Sequence, residues 1–218
     1  LNGQTLLLGA DRSLFWEEAK TLFVADMHLG KDVTFRRSGI PMPGGATQGT
    51  LTRLQSAIHR TGCEIVYVLG DLIHARSSLD EETCTAIRDF LVRNESTQFQ
   101  LVEGNHDRGS RQLLNALSLD PIAPGIMIAP FCLVHDESTE RPSDLADSTL
   151  LAGHIHPAVV IGRETSERLR LPCFWLSNQC MTLPAFGEFT GAKCVQPRRG
   201  DQVFAIADNE IFTFADFR

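Results

Sequence analysis

The stretch Ile65-Val66-Tyr67-Val68-Leu69-Gly70-Asp71-Leu72-Ile73-His74 decides how the rest of the chain is read. Five apolar and aromatic residues, three of them β-branched, run without interruption from Ile65 to Leu69. A run this short and continuous predicts a strand covered on both faces. Gly70 ends it and lets the backbone turn. A carboxylate follows at Asp71 and an imidazole three residues later. Two other stretches repeat the pattern: Thr21 to Ala25 runs into Asp26-Met27-His28, and Phe99 to Val102 leads to Gly104-Asn105-His106-Asp107. Amphipathic segments lie between them. Leu51, Leu54 and Ile58 recur at helical spacing within Thr50 to Arg60, and Asp80 with Glu81, Glu82 and Thr83 reads as a capped helix start. Ile87, Phe90 and Leu91 would form the inner face of that second helix. Strand alternating with helix predicts α/β layers.

Working outward, Thr5 to Leu8 and Ser13 to Trp16 read as a hairpin across Gly9-Ala10-Asp11-Arg12. Pro41 to Gly45 reads as a loop, and Arg111 to Leu117 as a short helix. Met127 to Leu133 and Thr149 to Ala152 are predicted strands, each leading into histidine: His135 after the first, Gly153-His154-Ile155-His156 after the second. Gln202 to Phe214 reads as a hairpin across Asp208-Asn209. The second half has more strands and fewer helices. No repeat, low-complexity tract or linker appears, so residues 1–218 are expected to form a single domain.

Bulk properties exclude several classes. A net charge of −7 argues against a broad basic surface and strong non-specific DNA binding. The six cysteines include no CxxC pair, and Cys63, Cys132 and Cys173 sit among apolar residues, as reduced core thiols do. No apolar run of about 18 residues would span a bilayer. Leu1-Asn2-Gly3-Gln4 lacks a basic or apolar leader. The expectation is a cytoplasmic protein with no membrane partner.

Asp26, His28, Asp71, Asn105, His135, His154 and His156 are a sufficient ligand set for two divalent cations that share one carboxylate. Carboxylate, amide oxygen and imidazole suit Mn, Fe or Zn. Two such ions about 3.5–4 Å apart can clamp a phosphoryl group, which points to a phosphoesterase. Asp26 and His28 stand two apart, as do His154 and His156, and in extended backbone such pairs project to one side. Gly70, Gly104 and Gly153 would let the chain approach the ions closely.

The order DxH, GDxxH, GNHD, H, GHxH resembles the calcineurin-like metallophosphoesterases. That resemblance implies a four-layer α/β/β/α fold, a double β-sandwich flanked by helices, with a dinuclear site at one edge. More narrowly, Val24 to Lys31, Phe35 to Pro41, Leu69 to Arg76 and Leu183 to Gly191 resemble the bacterial ligase-associated DNA damage response endonuclease/phosphoesterase. Members of that family are associated with a DNA ligase, a helicase and an exonuclease-like protein. Carried over by position, Asp26, His28 and His156 would hold the first metal, Asn105, His135 and His154 the second, and Asp71 would bridge them. His106 would lie beside the phosphate without binding metal, and Asp107 would orient it. His74 matches a histidine near the scissile phosphate in the nuclease subunit of double-strand-break repair complexes. One departure is Asp136, after His135, where many relatives carry Gly.

The reaction implied is attack on a phosphodiester by metal-bound hydroxide, with Mn²⁺ the expected metal and Fe or Zn the alternatives. His106, with His74, would protonate the leaving oxygen. Lys31, Arg36, Arg37 and Arg76, read as loop residues, would hold flanking phosphates. The expected substrate is DNA, single-stranded or damaged. The main alternative is a nucleotide or small-molecule phosphodiesterase or a phosphomonoesterase. UDP-diacylglucosamine pyrophosphatase is disfavoured, because His106 stands where that family is expected to carry Arg. A purely scaffolding role is disfavoured by the complete ligand set. Homodimerisation is suggested by fold-level analogy alone. Phe174, Trp175 and Phe186 are expected in the core, and His59, Arg198 and Arg199 at the surface.

Overall fold

The computed structural model describes residues 1–138, 148–162 and 168–214. Two sheets pack face to face. The first is built from β1 (Leu6–Leu8), β2 (Leu14–Trp16), β3 (Thr21–Val24), β4 (Ile65–Leu69), β5 (Gln98–Val102) and β6 (Pro121–Ile122), in that spatial order. The β1–β2–β3 pairs are antiparallel, whereas β3, β4, β5 and β6 run parallel. The parallel set requires crossovers, supplied by α1 (Lys31–Arg37) with α2 (Ala46–Thr61), by α3 (Glu81–Arg93), and by α4 (Arg111–Ala116).

Alternation along each strand explains the two-faced burial. Leu22, Val24, Val66, Val68 and Leu101 pack against Leu51, Leu54 and Ile58 of α2, Ile87 and Phe90 of α3, and Leu114 of α4. Phe23, Ala25, Leu69 and Val102 face the other way and meet the second sheet. The α3 start is capped as the sequence predicts: Asp80 accepts from Thr83 N at 2.8 Å.

The second sheet holds β7 (Ile126–Ile128), β8 (Phe131–Leu133), β9 (Thr149–Ala152), β10 (Pro157–Ile161), β11 (Leu169–Ser177), β12 (Cys180–Thr182), β13 (Lys193–Cys194), β14 (Gln202–Ala207) and β15 (Glu210–Phe214). Its main order is β13-β10-β11-β12-β9-β8-β7, and β14 pairs with β11 and β15. Phe131, Leu133, Leu151, Phe174, Met181, Leu183 and Ile206 fill the space between the sheets. The fold is an α/β double sandwich flanked by helices.

Two readings need correction. The predicted strand from Met127 to Leu133 is a hairpin, β7–β8, reversing at Ala129-Pro130. Lys31, Arg36 and Arg37 lie on α1 rather than in a loop. Phe174 and Phe186 are buried, as expected. Trp175 is half-buried on the outer face and donates to Asp201 at 3.1 Å. His59 is exposed. All six cysteines are thiols outside any disulfide, four of them buried. Among the described residues no helix is long and apolar enough to cross a membrane.

Candidate active site

The carboxyl ends of β3, β4, β5, β8 and β9 meet along one edge of the sandwich. This is where open α/β sheets present their ligand sites. Asp26 and His28 follow β3, Asp71 follows β4, Asn105 and His106 follow β5, His135 follows β8, and His154 and His156 follow β9. The structure brings all of them together. One atom from each of Asp26, His28 and His156 falls within 4.8 Å of the others, and so do atoms of Asp71, His135 and His154. Asn105 Oδ1 joins the second group, 3.0 Å from His135 Nε2.

The backbone achieves this differently from the sequence expectation. Asp26 and His28 are not in extended alternation: their φ angles are 53° and 46°, and Asp71, His154 and His156 have 51°, 71° and 49°. Five candidate ligands therefore sit in the left-handed region, each at a cost of about 1–3 kcal/mol that the surrounding structure must over-determine. That surrounding is visible. Asp26 N donates to Gly70 O at 3.2 Å and His28 N to Asp71 O at 2.9 Å, tying the first loop to the second. At Gly104 an added Cβ would collide with Asp71, backbone and carboxylate; at Gly70 it would enter the His135 ring.

Each buried carboxylate is fixed through one oxygen. Asp26 Oδ2 accepts from His154 N at 2.9 Å, and Asp71 Oδ1 from His106 N at 2.9 Å. The other oxygens point inward. Asp26 Oδ1 is buried without a hydrogen-bond partner. Asp71 Oδ2 lies 3.4 Å from His135 Nε2 and 3.9 Å from both His28 and His106 Nε2, between the two groups.

The imidazoles are prepared in the same sense. His135 Nδ1 donates to Leu69 O and His156 Nδ1 to Gly191 O, both at 2.9 Å. When neutral, each ring therefore turns an Nε2 lone pair inward, as metal-binding histidines do when the other ring nitrogen is held by a carbonyl. With those rings neutral, lone pairs and carboxylate oxygens converge on one space. That donor set fits a divalent cation on either side of Asp71.

The electrostatics agree. Burial depresses the His28 pKa to about 2, outweighing the pull of Asp71. Burial would raise Asp71, but the hydrogen bond and charge of His135, with the His106 amide, hold it down to about 2. Burial would lower His135, yet Asp71, Asp26 and the Leu69 carbonyl push it up to about 9. In the absence of a cation a proton takes the place of positive charge there, and cation binding must displace it.

A rim of more open groups borders this floor. The His74 and His106 rings stack, with centroids 5.3 Å apart and planes at 20°, and both rings lie edge-on to His28. Burial, then the charges of Lys31 and His106, lower His74 to about 4. His106 Nδ1 donates to His74 O at 2.6 Å, which aims Nε2 at the centre. The expectation that Asp107 orients this ring is corrected. Its carboxylate accepts instead from Ile73 N at 3.2 Å and Gly104 N at 3.0 Å, stapling the two loops together, and burial raises its pKa to about 6. Asp136, at the position of the departure, faces the outer His154 Nε2 at 3.7 Å.

The basic residues divide. Lys31 is half-buried beside the site, its Nζ 5.8 Å from the Phe35 ring centroid. Arg36 pairs with Asp32 at 2.9 Å, and Arg37 donates to Ser77 O. Arg76 lines a separate cavity of about 400 Å³ with Cys84, Gln112 and Leu113.

Comparison with known proteins places this constellation. The calcineurin-like phosphoesterase family matches residues 19–136. The chain belongs to that family. Calcineurin-like phosphoesterases work through a dinuclear metal centre, and this member is a metal-dependent phosphoric ester hydrolase. Among solved structures it is similar to the nuclease MPE of Pseudomonas putida, at 32% identity and a TM-score of 0.82, covering 97% of this chain and 96% of that one. It also aligns with Yfce, a phosphoesterase from E. coli, at 16% identity and a TM-score of 0.48, covering 89% and 98%. No curated protein matches the sequence.

Sequence reasoning left one part of the phosphoesterase site without a role, the segment from Leu183 to Gly191. Phe186 N donates to Ala25 O at 2.8 Å and Gly187 N to Asp26 O at 3.1 Å, and Gly191 O holds His156. Arg12 Nη1 donates to Ala185 O at 3.0 Å, and Arg53 donates to Phe186 O. Gly187 was the available signal, because an added Cβ there would collide with the Met27 carbonyl, and such close backbone approach is what glycine permits.

Proposed function

We propose that this phosphoesterase is a DNA phosphodiesterase, an endonuclease of bacterial DNA repair that works in the cytoplasm as a single domain. The observation that carries the reading is the pairing of two inward donor groups across Asp71 with the stacked His74–His106 pair at their border. Asp26, His28 and His156 would hold one cation and Asn105, His135 and His154 the other, with Asp71 between them. When bound, two such cations supply Lewis acidity toward phosphoryl oxygens and acidify water. Mn²⁺ is the metal proposed on family resemblance; the mix of carboxylate, amide oxygen and imidazole suits Mn, Fe or Zn alike.

The chain's own residues supply the rest. A second proton on His106 sits on Nε2, because Nδ1 is committed to His74 O, and it faces the place where a leaving oxygen would depart. An alkoxide needs such an acid, and the group is worth about 10²–10⁴-fold. His74, held largely neutral, backs the ring by stacking. Lys31 places positive charge at the rim. Similarity to a Pseudomonas nuclease supports a nucleic-acid substrate, and single-stranded or damaged DNA is the proposed form. A DNA ligase, a helicase and an exonuclease-like protein are the proposed partners, and a homodimer the proposed assembly.

A second reading has its own support. Arg36 and Arg37 are committed within the chain and the net charge is −7, which suits a nucleotide or small-molecule phosphodiesterase or a phosphomonoesterase. The test is side-by-side assay of metal-stripped, Mn²⁺-reloaded protein on bis-p-nitrophenyl phosphate, p-nitrophenyl phosphate and single-stranded DNA. Diester and DNA cleavage, both lost with EDTA, support the DNA reading. Diester cleavage with intact DNA favours the second.

A further inference from the structure

A cavity of about 170 Å³ opens beside His156, walled by Arg12, Arg170, Pro172, Thr190 and Gly191. We propose that it is the subsite for the phosphate next to the scissile one, so that the enzyme grips a polynucleotide strand on the β11 side of its centre. The inference rests on the phosphodiesterase reading above and extends it to a substrate of at least two phosphates.

Three observations converge. First, the cavity adjoins the centre directly: His156 lines it while its Nε2 lies 3.4 Å from Asp26 Oδ1. A strand crossing the centre therefore passes its next phosphate over this opening. The volume admits about five water-sized groups, the bulk of one phosphate.

Second, neither of its two guanidiniums is in an ion pair among the described residues. Arg12 is half-buried, and Nη1 is spent on the carbonyls of Ala185 and Gly187, at 3.0 and 3.5 Å. Among the described residues it has no ion pair, and its strongest charged neighbour is another arginine, Arg53, with Glu188 acting more weakly. The side chain of Arg170, exposed on β11, makes no hydrogen bond or ion pair among the described residues. A half-buried arginine repelled by a second one is stabilised by an incoming anion, and the planar fork suits phosphate oxygens.

Third, Arg12 occupies a left-handed position, φ 75°, in the β1–β2 turn. Gly or Asn would fit that turn with less strain. The contrast with α1 is informative: the arginines there are tied to Asp32 and Ser77, whereas those at this cavity keep donors free.

The test is fluorescence anisotropy of a labelled, nuclease-resistant phosphorothioate oligothymidylate on Mn²⁺-loaded protein across a KCl series. Arg170→Ala should reduce the slope of log K against log salt by about 0.7, the loss of one single-strand phosphate contact. Arg170→Lys should restore the slope, and Arg12→Gln should lower it similarly. Arg93→Ala, at the opposite end of α3, should leave it as in wild type. An Arg170→Ala slope equal to wild type, or no salt-dependent binding by wild type, overturns the subsite. Hydrolysis of bis-p-nitrophenyl phosphate is read separately. If it is absent while the Arg170 shift persists, the phosphodiesterase reading fails and the anion subsite stands.

Discussion

The floor and the rim of the centre are built from the same residue types and are held in opposite ways. On the floor, Asp26, His28, Asp71 and His135 are buried; backbone amides or carbonyls pin the Asp26, Asp71 and His135 side chains, and His28 is tied through its own amide to Asp71 O. On the rim, the side chain of His106 is 38% exposed, and Lys31 and His74 are half-buried. Burial costs the floor its solvation, so its groups must be charged or neutral in a pattern that only a cation completes. The rim keeps contact with water and can exchange protons. The difference teaches that one constellation divides into a holding part, most of it buried, and a reacting part open to water.

The sharpest way to break this division is at Asp71. Asp71→Asn removes the oxygen shared by both donor groups, so activity should fall by about 10³-fold or more. Metal content by plasma mass spectrometry should fall with it. A variant that kept both ions would show that Asp71 is not the shared ligand.

Next comes the rim. His106→Ala should lower kcat by about 10²–10⁴-fold while metal content stays at the wild-type level. Loss of an ion together with activity would move His106 to the floor and erase the distinction. Lys31→Ala should be milder, raising KM about fivefold, the worth of roughly 1 kcal/mol for a partly screened charge, with kcat little changed. Equal falls in kcat and kcat/KM would instead assign Lys31 to the transition state.

The smallest expected effect lies outside the site and checks that the other variants report chemistry rather than fold. Asp80→Ala removes the α3 cap and should cost about 1 kcal/mol, a Tm shift of about 2–4 °C, with activity retained at assay temperature. Burial would raise the Asp80 pKa, but hydrogen bonds from Thr83 and the charges of Arg37 and Arg36 bring it below its ordinary value. A depressed carboxyl stabilises the fold above its unfolded pKa of about 3.9 and loses that contribution as pH falls through the folded value. The wild-type minus Asp80→Ala difference in Tm should therefore shrink below about pH 4. A constant difference would mean the cap does not work through its charge.

The strands at the site were legible because each is a short apolar run closed by Gly or a carboxylate. Ile65–Leu69 was read to the residue, and Asp80 was read correctly as a cap. The converging set was legible because five spaced fragments share one chemistry. What escaped reading depends on contacts between residues far apart. Helix α1 begins directly after Gly30, at φ 77°, without a side-chain cap. The left-handed ligands looked like extended pairs because spacing alone does not report φ. The roles of Arg12 and Arg170 were hidden because neither lies near a motif, and only pairing of β10 with β11 brings Arg170 to His156. Asp107 carried the expected residue type, but its partners are amides of another loop, which no local pattern encodes.

The contact of Arg12 with Ala185 spans 173 positions of the chain, and this separation sets an order of assembly. The strands bearing Asp26, Asp71 and Asn105 pair in sequence order and can form while the rest of the chain is still being synthesised. The segment that bonds Ala25 and Asp26 and holds His156 emerges only after all of these strands. Closing so long a loop is slow and comes late. A nascent chain therefore carries an open, acidic half-site until Ala185 to Gly191 have emerged, and only then does it gain its full cation-holding shape.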